Sequence, residues 1–245
     1  MSEPTAYSLV RRFGVIVPSV NTVLERELYG LGLEDVSFHF ARVRSERGSD
    51  EAILRRMADD APAAAALLAD ARPERIVYAC TSGSLVGGPG FDRELGARIF
   101  DRTGIPATTT ATQVLESFRC LGVSSVAVGT PYLDWVTRAE ADFFEAAGYS
   151  VTSTTSLGLV DGQAMAALAE RDVAELAMTV DRAEADAVFL SCTDLPTLRA
   201  IARLEGELGK PVVSSNLATV RGLLGGDPRL WGLARLCAAS AEGSQ

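Results

Sequence analysis

Two stretches of the chain repeat one short pattern. Ile76-Val77-Tyr78-Ala79-Cys80-Thr81 and Val188-Phe189-Leu190-Ser191-Cys192-Thr193 are apolar runs that end in Cys-Thr, and they lie 112 residues apart. A second pair keeps that spacing: Phe13-Gly14-Val15-Ile16-Val17 precedes Ser125-Val126-Ala127-Val128-Gly129 by the same 112 residues. Register kept across two separate pairs points to an internal duplication. Short β-branched runs alternate with longer helical patterns along the chain, which is the signature of a parallel sheet with crossover helices. The sequence therefore predicts an α/β protein. Its two similar parallel-sheet, flavodoxin-like halves are related by a pseudo-two-fold duplication, with the active site in the cleft between them.

Strands are expected at Phe13 to Val17, Val36 to Phe40, Arg75 to Ala79, Ser125 to Gly129, Tyr149 to Ser153, Ala187 to Ser191 and Val212 to Ser214. Helices are expected over Asp50 to Ala71, with Pro62 bending or dividing that stretch, and over Phe91 to Thr103, Ala111 to Leu121 and Leu133 to Ala147. Two more are expected over Gly162 to Ala183 and Leu195 to Leu208. The first half is read as residues 1–110 together with 217–245, the C-terminal helix packing back on it, and the second half as 111–216.

Composition removes several function classes. An apolar content of 47% over 245 residues is ample for a sizeable core. A net charge of −9 argues against a nucleic-acid surface, which needs clustered Lys and Arg. Met1 to Arg12 holds no long apolar stretch and the Ala-rich segment Pro62 to Ala71 is too short to span a bilayer, so a soluble, cytoplasmic protein without a membrane partner is expected. There is one histidine, His39, in the alternating run Val36-Ser37-Phe38-His39-Phe40, where a partly buried or edge-strand role is expected. The one lysine, Lys210, sits at a helix-to-strand turn, Leu208-Gly209-Lys210-Pro211, and reads as a solvated turn residue, which leaves no Schiff-base lysine. The four cysteines are widely spread with no histidine pair beside them, so a zinc site is not expected. Gly87-Gly88-Pro89-Gly90 lacks the Lys-Ser/Thr of a phosphate loop, and no good GxGxxG follows a strand, so no cofactor is expected.

In parallel α/β sheets, ligands bind beyond the carboxyl ends of the strands, and this is where the duplicated Cys-Thr pairs fall. A helix starting there offers free N–H groups and the positive end of its dipole, which stabilise a thiolate and hold a carboxylate without Arg or Lys. Cys80 and Cys192 are thus the candidate catalytic pair. Thr81, Ser82, Gly83 and Ser84 after the first thiol and Thr193 after the second are suited to an anion pocket. Cys120 and Cys237, on apolar helical patterns, read as core packing. Other strand-end loops bring further polar groups: Ser19, Asn21 and Thr22 after Pro18, Tyr132 in Thr130-Pro131-Tyr132, and Asn216 in Ser214-Ser215-Asn216. Asn21 and Asn216 read equally as helix caps.

Val17-Pro18-Ser19-Val20-Asn21-Thr22, Tyr78-Ala79-Cys80-Thr81-Ser82-Gly83-Ser84, Gly129-Thr130-Pro131-Tyr132, Ser191-Cys192-Thr193 and Pro211-Val212-Val213-Ser214-Ser215-Asn216 together resemble the maleate cis-trans isomerase and arylmalonate decarboxylase branch of the aspartate/glutamate racemase superfamily. The resemblance runs from about Gly14 to about Leu224. For the isomerases it implies a cofactor-independent homodimer acting on a small dicarboxylate. The Cys80 thiolate would add to the double bond while Cys192 supplies a proton, with Asn21 and Tyr132 holding carboxylates. The decarboxylases typically keep only the second thiol, so Cys80 sets this chain apart from them. The isomerases also carry a further substrate-binding asparagine where this chain reads Leu159-Val160-Asp161-Gly162-Gln163. A two-thiol racemase or epimerase, with Asp161 or Asp194 accepting a substrate ammonium, remains open beside this reading, as does a carboxylate binder without catalysis.

Overall fold

In the computed structural model, residues 10–46 and 50–225 are described, together with 227, 229 and 234. Two four-stranded parallel sheets share one topology. The first is ordered β2-β1-β3-β4, from β1 (Arg11–Pro18), β2 (Val36–Val43), β3 (Arg75–Tyr78) and β4 (Ala107–Thr109); the second is β6-β5-β7-β8, from β5 (Ser125–Thr130), β6 (Ser150–Ser156), β7 (Ala187–Leu190) and β8 (Val212–Ser214). The 112-residue repeat is therefore a repeat of the two central strands of each sheet. Those strands read as nearly unbroken apolar runs because helices cover both of their faces.

The covering helices are α1 (Leu24–Tyr29), α2 (Glu51–Ala69), α3 (Thr81–Leu85), α4 (Phe91–Thr103) and α5 (Thr110–Cys120). They continue as α6 (Asp134–Ala146), α7 (Gly162–Ala166), α8 (Glu170–Val180), α9 (Ile201–Leu208) and α10 (Ser215–Leu224). Alternate residues of β1 and β3 face opposite ways. Ile16, Ile76 and Tyr78 pack against α2 and α4 through Met57, Ala61, Leu95 and Ile99, while Val15, Val17 and Val77 join the core shared with the second half. α5 and α10 occupy equivalent places after β4 and β8. Thr109 and Ser214 cap them with matching backbone angles, each side chain accepting an N–H three residues on.

Four expectations need correction. β4 went unread because it is only three residues long, although Pro106-Ala107-Thr108-Thr109 mirrors Pro211-Val212-Val213-Ser214. Pro62 does not divide α2, which runs on as a single helix. The stretch read as Gly162 to Ala183 is two helices, with Ala169 at the second start donating its N–H to Asp172 Oδ2 at 2.8 Å. The stretch from Leu195 is a turn until Ile201, because Pro196 disfavours helical backbone at the residue before it.

His39 lies on the edge strand β2, with its Nε2 3.1 Å from Ser37 Oγ. Lys210 is not a free surface cation: Nζ donates to the carbonyls of Arg182 (2.7 Å) and Ala185 (2.8 Å) and pairs with Asp181 at 2.9 Å. Cys237 and the expected C-terminal helix lie outside the described residues. No helix among the described residues is long and apolar enough to cross a membrane.

Candidate active site

Strand order reverses direction between β1 and β3 in one sheet and between β5 and β7 in the other, which opens a crevice at their carboxyl ends. One cavity is lined from both halves by the ends of these four strands and the loops leaving them: Pro18 at the end of β1 and Asn21 after it, Cys80 to Ser82 after β3, Tyr132 after β5, and Cys192 to Asp194 after β7. Leu54 and Met57 of α2, with Val136, Val160 and Met165, supply apolar walls. Among the described residues the lining contains no Arg, Lys or His, and its one charged side chain is Asp194. No group of three or more metal-ligating side chains occurs among the described residues.

The two thiols are both buried, 5% and 6% exposed, but their surroundings differ. Cys80 ends its strand in an ordinary extended conformation and caps the five-residue α3, whose Gly83 N–H points back at the sulfur, with Ser82 Oγ 3.9 Å away. Cys192 has φ +93°, a left-handed value that an L side chain rarely adopts, and no helix begins after it. Its Sγ accepts the Asp194 N–H at 3.3 Å and lies 3.9 Å from Met165 Sδ, and the Tyr132 hydroxyl nearby favours its ionised form. The matched Cys-Thr pairs thus occupy equivalent places with different backbones. Only the first has the helix start expected of both.

The depressed thiol pKa values expected of helix-end cysteines are not found. Burial raises both thiols, and the donors around them offset only part of that; Cys192 is pushed up to about 12. The Gly83 N–H and the Ser82 and Tyr78 hydroxyls stand around Cys80 and favour its ionised form, and the Tyr132 hydroxyl and Asp194 N–H do so for Cys192. Asp194 opposes ionisation of either thiol, and Cys80 further opposes that of Cys192. Of the pair, Cys192 holds its proton harder.

The remaining candidates divide clearly. Asn21 lines the cavity and ties the halves together, Nδ2 donating to Thr193 Oγ1 (3.2 Å) while Oδ1 accepts the N–H groups of Val23 and Leu24 at the start of α1. Thr193 in turn donates to the Ala79 carbonyl at 3.1 Å. Tyr132 is buried, and its carbonyl is held by the hydroxyl of Ser156 and the N–H of Gly158. Ser19 is exposed and outside the lining, its Oγ accepting the Ser45 N–H at 2.9 Å. Asn216 also lies outside, its amide donating to Glu27 Oε2 (2.6 Å) and to the Leu195 carbonyl (3.0 Å). The polar residue of that segment that serves the site is its neighbour Ser215, whose Oγ accepts both the Thr81 hydroxyl (2.7 Å) and the Cys192 N–H (3.0 Å), and so pins the two thiol loops to each other. Gln163 spends its amide on the Val20 carbonyl and Asp161 caps α7, so neither lines the cavity.

One acidic group, Glu140, escaped sequence reading, while Asp194 is the candidate ammonium acceptor of the racemase reading. Glu140 on α6 is wholly buried, its Oε1 accepting the Ser191 hydroxyl at 2.8 Å and its Oε2 without a partner among the described residues; burial pushes its carboxyl up to about 8. Asp194 accepts the Thr22 and Val23 N–H groups on Oδ1, leaves Oδ2 without such a partner, and is raised by burial to about 6.

Residues 14–237 match the arylmalonate decarboxylase family. A maleate isomerase of Geobacillus stearothermophilus is 30% identical over 227 residues, covering 87% of this chain and 90% of that protein. A maleate isomerase variant from Pseudomonas putida, solved with maleate, superposes with a TM-score of 0.87 at 28% identity over 94% of this chain and 98% of that one. A Nocardia farcinica maleate cis-trans isomerase mutant holding a covalently bound succinylcysteine intermediate does so with a TM-score of 0.85, at 28% identity over 93% and 98%. With both halves, both thiol loops and the cavity between them inside the matched span, the chain belongs to the arylmalonate decarboxylase family, alongside the maleate cis-trans isomerases.

Proposed function

We propose that this protein is an isomerase that converts maleate, or a closely similar unsaturated dicarboxylate, to its trans form through two cysteines and without a cofactor. The observation that carries this reading is the presence of both thiols, Cys80 and Cys192, in one cavity from pseudo-equivalent strand ends. The relatives named above are maleate isomerases, and one of them holds a succinylcysteine.

Cys80, with the Gly83 N–H and the Ser82 and Tyr78 hydroxyls around its sulfur, acts as the thiolate, and Cys192, whose thiol is pushed to about 12, acts as the acid. The Cys80 sulfur adds to one alkene carbon and the Cys192 thiol delivers its proton to the other, leaving a succinyl adduct and a Cys192 thiolate. Rotation follows about what is now a single bond. The Cys192 thiolate then takes the proton back, the C–S bond breaks, and the trans acid leaves with the Cys80 thiolate restored. Asn21, Tyr132, the Ser82 hydroxyl and the N–H groups of Thr81, Ser82 and Thr193 hold the carboxylates, since the lining has no cation among the described residues to do so. Ser19 and Asn216 act from behind, through Ser45 and Glu27. On this reading the first half is residues 1–110 with 217–245, the second is 111–216, and the enzyme works as a cytoplasmic homodimer.

A two-thiol racemase is the second reading, favoured by one observation. Asp194 brings a carboxylate to the cavity whose Oδ2 lacks a partner among the described residues, which suits a substrate ammonium better than a second substrate carboxylate.

Proton NMR of maleate in deuterium oxide with wild type, Cys80→Ala and Cys192→Ala separates the readings. Fumarate made by wild type alone establishes the isomerase. Unchanged maleate, with deuterium entering the α-carbon of an amino acid, establishes the racemase.

A further inference from the structure

We propose that Tyr78 is a positioning residue whose hydroxyl serves the Cys80 sulfur once that sulfur carries negative charge. Tyr78 is fully buried on β3, two residues before the thiol, with its ring in the core formed with α2 and α4. Its hydroxyl makes no hydrogen bond of full geometry to any described residue. A buried tyrosine hydroxyl ordinarily has a partner. The polar group within its reach is Cys80 Sγ: a β-carbon placed on Gly83 would stand 2.5 Å from the Tyr78 oxygen and 3.0 Å from that sulfur, so both lean over the one residue of the turn that has no side chain.

A neutral thiol is a weak acceptor and a thiolate a strong one. Tyr78 is therefore poorly satisfied while Cys80 is protonated and well satisfied when it is ionised, which favours the thiolate at this sulfur. Gly83 N–H and the Ser82 hydroxyl act in the same direction from α3, while Asp194 of the opposing loop acts against it. Burial holds the Tyr78 hydroxyl in its protonated, donating form, and Cys80 beside it and, to a smaller extent, the exposed Asp60 and Asp59 of α2 act in the same direction. Cys192 has a tyrosine too, but Tyr132 comes from the loop after β5 and lines the cavity. Each thiol is thus served by its own tyrosine, one reserved for the sulfur and one shared with substrate.

The inference rests on the reading of Cys80 as the thiol that ionises, and its test needs no turnover. Alkylation of wild type and Tyr78→Phe by iodoacetamide across about pH 7 to 11 is followed by peptide mass, with Cys120, outside the cavity lining, as internal control. The expected result for Tyr78→Phe is a Cys80 midpoint raised by about one pH unit and a rate about tenfold lower near pH 8, the two proteins converging at the alkaline end and Cys120 unchanged. Superimposed profiles, or a rate lowered equally at every pH, overturn it, the latter because packing alone would do that. Gly83→Ala keeps the tyrosine but drives its oxygen off the sulfur, and is expected to give the same shift if the phenylalanine variant does not fold. Inert maleate together with a shifted profile would remove the isomerase reading and leave Tyr78 in place; turnover with superimposed profiles would do the reverse.

Discussion

Replacing Glu140 by Gln is expected to make the protein progressively more stable than wild type as pH rises. The carboxyl is wholly buried, Oε1 takes the Ser191 hydroxyl, and no cation among the described residues is paired with it. Its folded pKa, about 8, stands well above the ordinary 4.5. The folded chain therefore holds this proton more tightly than the unfolded chain does, and the resulting stabilisation is complete below about pH 4.5 and is lost as pH climbs through 8. Between those limits wild type loses roughly 1.4 kcal/mol per pH unit relative to a side chain that cannot ionise, so the gap between the two proteins widens by roughly 3 kcal/mol from pH 5 to pH 7. At pH 5 the two should lie within about 1 kcal/mol, because glutamine keeps the acceptor for Ser191 and loses only the unpartnered oxygen. Glu27 and Asp194, raised by burial to about 7 and about 6, are present in both proteins and cancel in the difference. Urea unfolding followed by circular dichroism at several pH values measures that difference directly. A gap that stays constant from pH 5 to 7 would refute the reasoning, since it would mean that Glu140 is ionised in the folded chain with a partner to support it.

Three further outcomes are expected. Cys192→Gly should be at least as stable as Cys192→Ala, by up to about 1 kcal/mol, because φ +93° suits glycine; thermal unfolding showing the usual glycine penalty would count against strain at this thiol. Ser215→Ala should lower stability by about 2 kcal/mol, because the Cys192 N–H and the Thr81 hydroxyl both lose their acceptor in a buried place, and a loss under about 0.5 kcal/mol would mean that neither bond matters. Asp194 is raised to about 6, so it is neutral below that pH and charged above it, and KM for maleate should rise as pH passes 6 in wild type but stay level in Asp194→Asn; parallel profiles would exclude Asp194 from substrate binding.

Much of the fold was legible because it is written in local patterns. The central strands announce themselves as unbroken apolar runs, and the repeated offset joins them into two halves. The thiols were legible for the same reason, being the polar ends of those runs. What escaped depended on three-dimensional neighbours. Nothing local tells Ser215, whose hydroxyl bridges the thiol loops, from Asn216, whose amide turns away to Glu27. Glu140 looks like any helical glutamate until Ser191 is seen against it. The expected lowering of the thiol pKa values used the N–H groups at a strand end and omitted the apolar walls from α2 and α7, whose effect is larger.

The two threonines that follow the thiols turn outward from their own halves: Thr81 donates to Ser215 beyond β8, and Thr193 donates to the carbonyl of Ala79 beside β3. Each half thus completes the other's hydrogen bonding, in the manner of an isologous interface between identical subunits that has become covalently continuous through the connection at Thr110. Cut at that connection, the chain should yield two fragments that are poorly folded apart and recover a working cavity only as a complementing pair, because the buried polar groups of each are satisfied by the other.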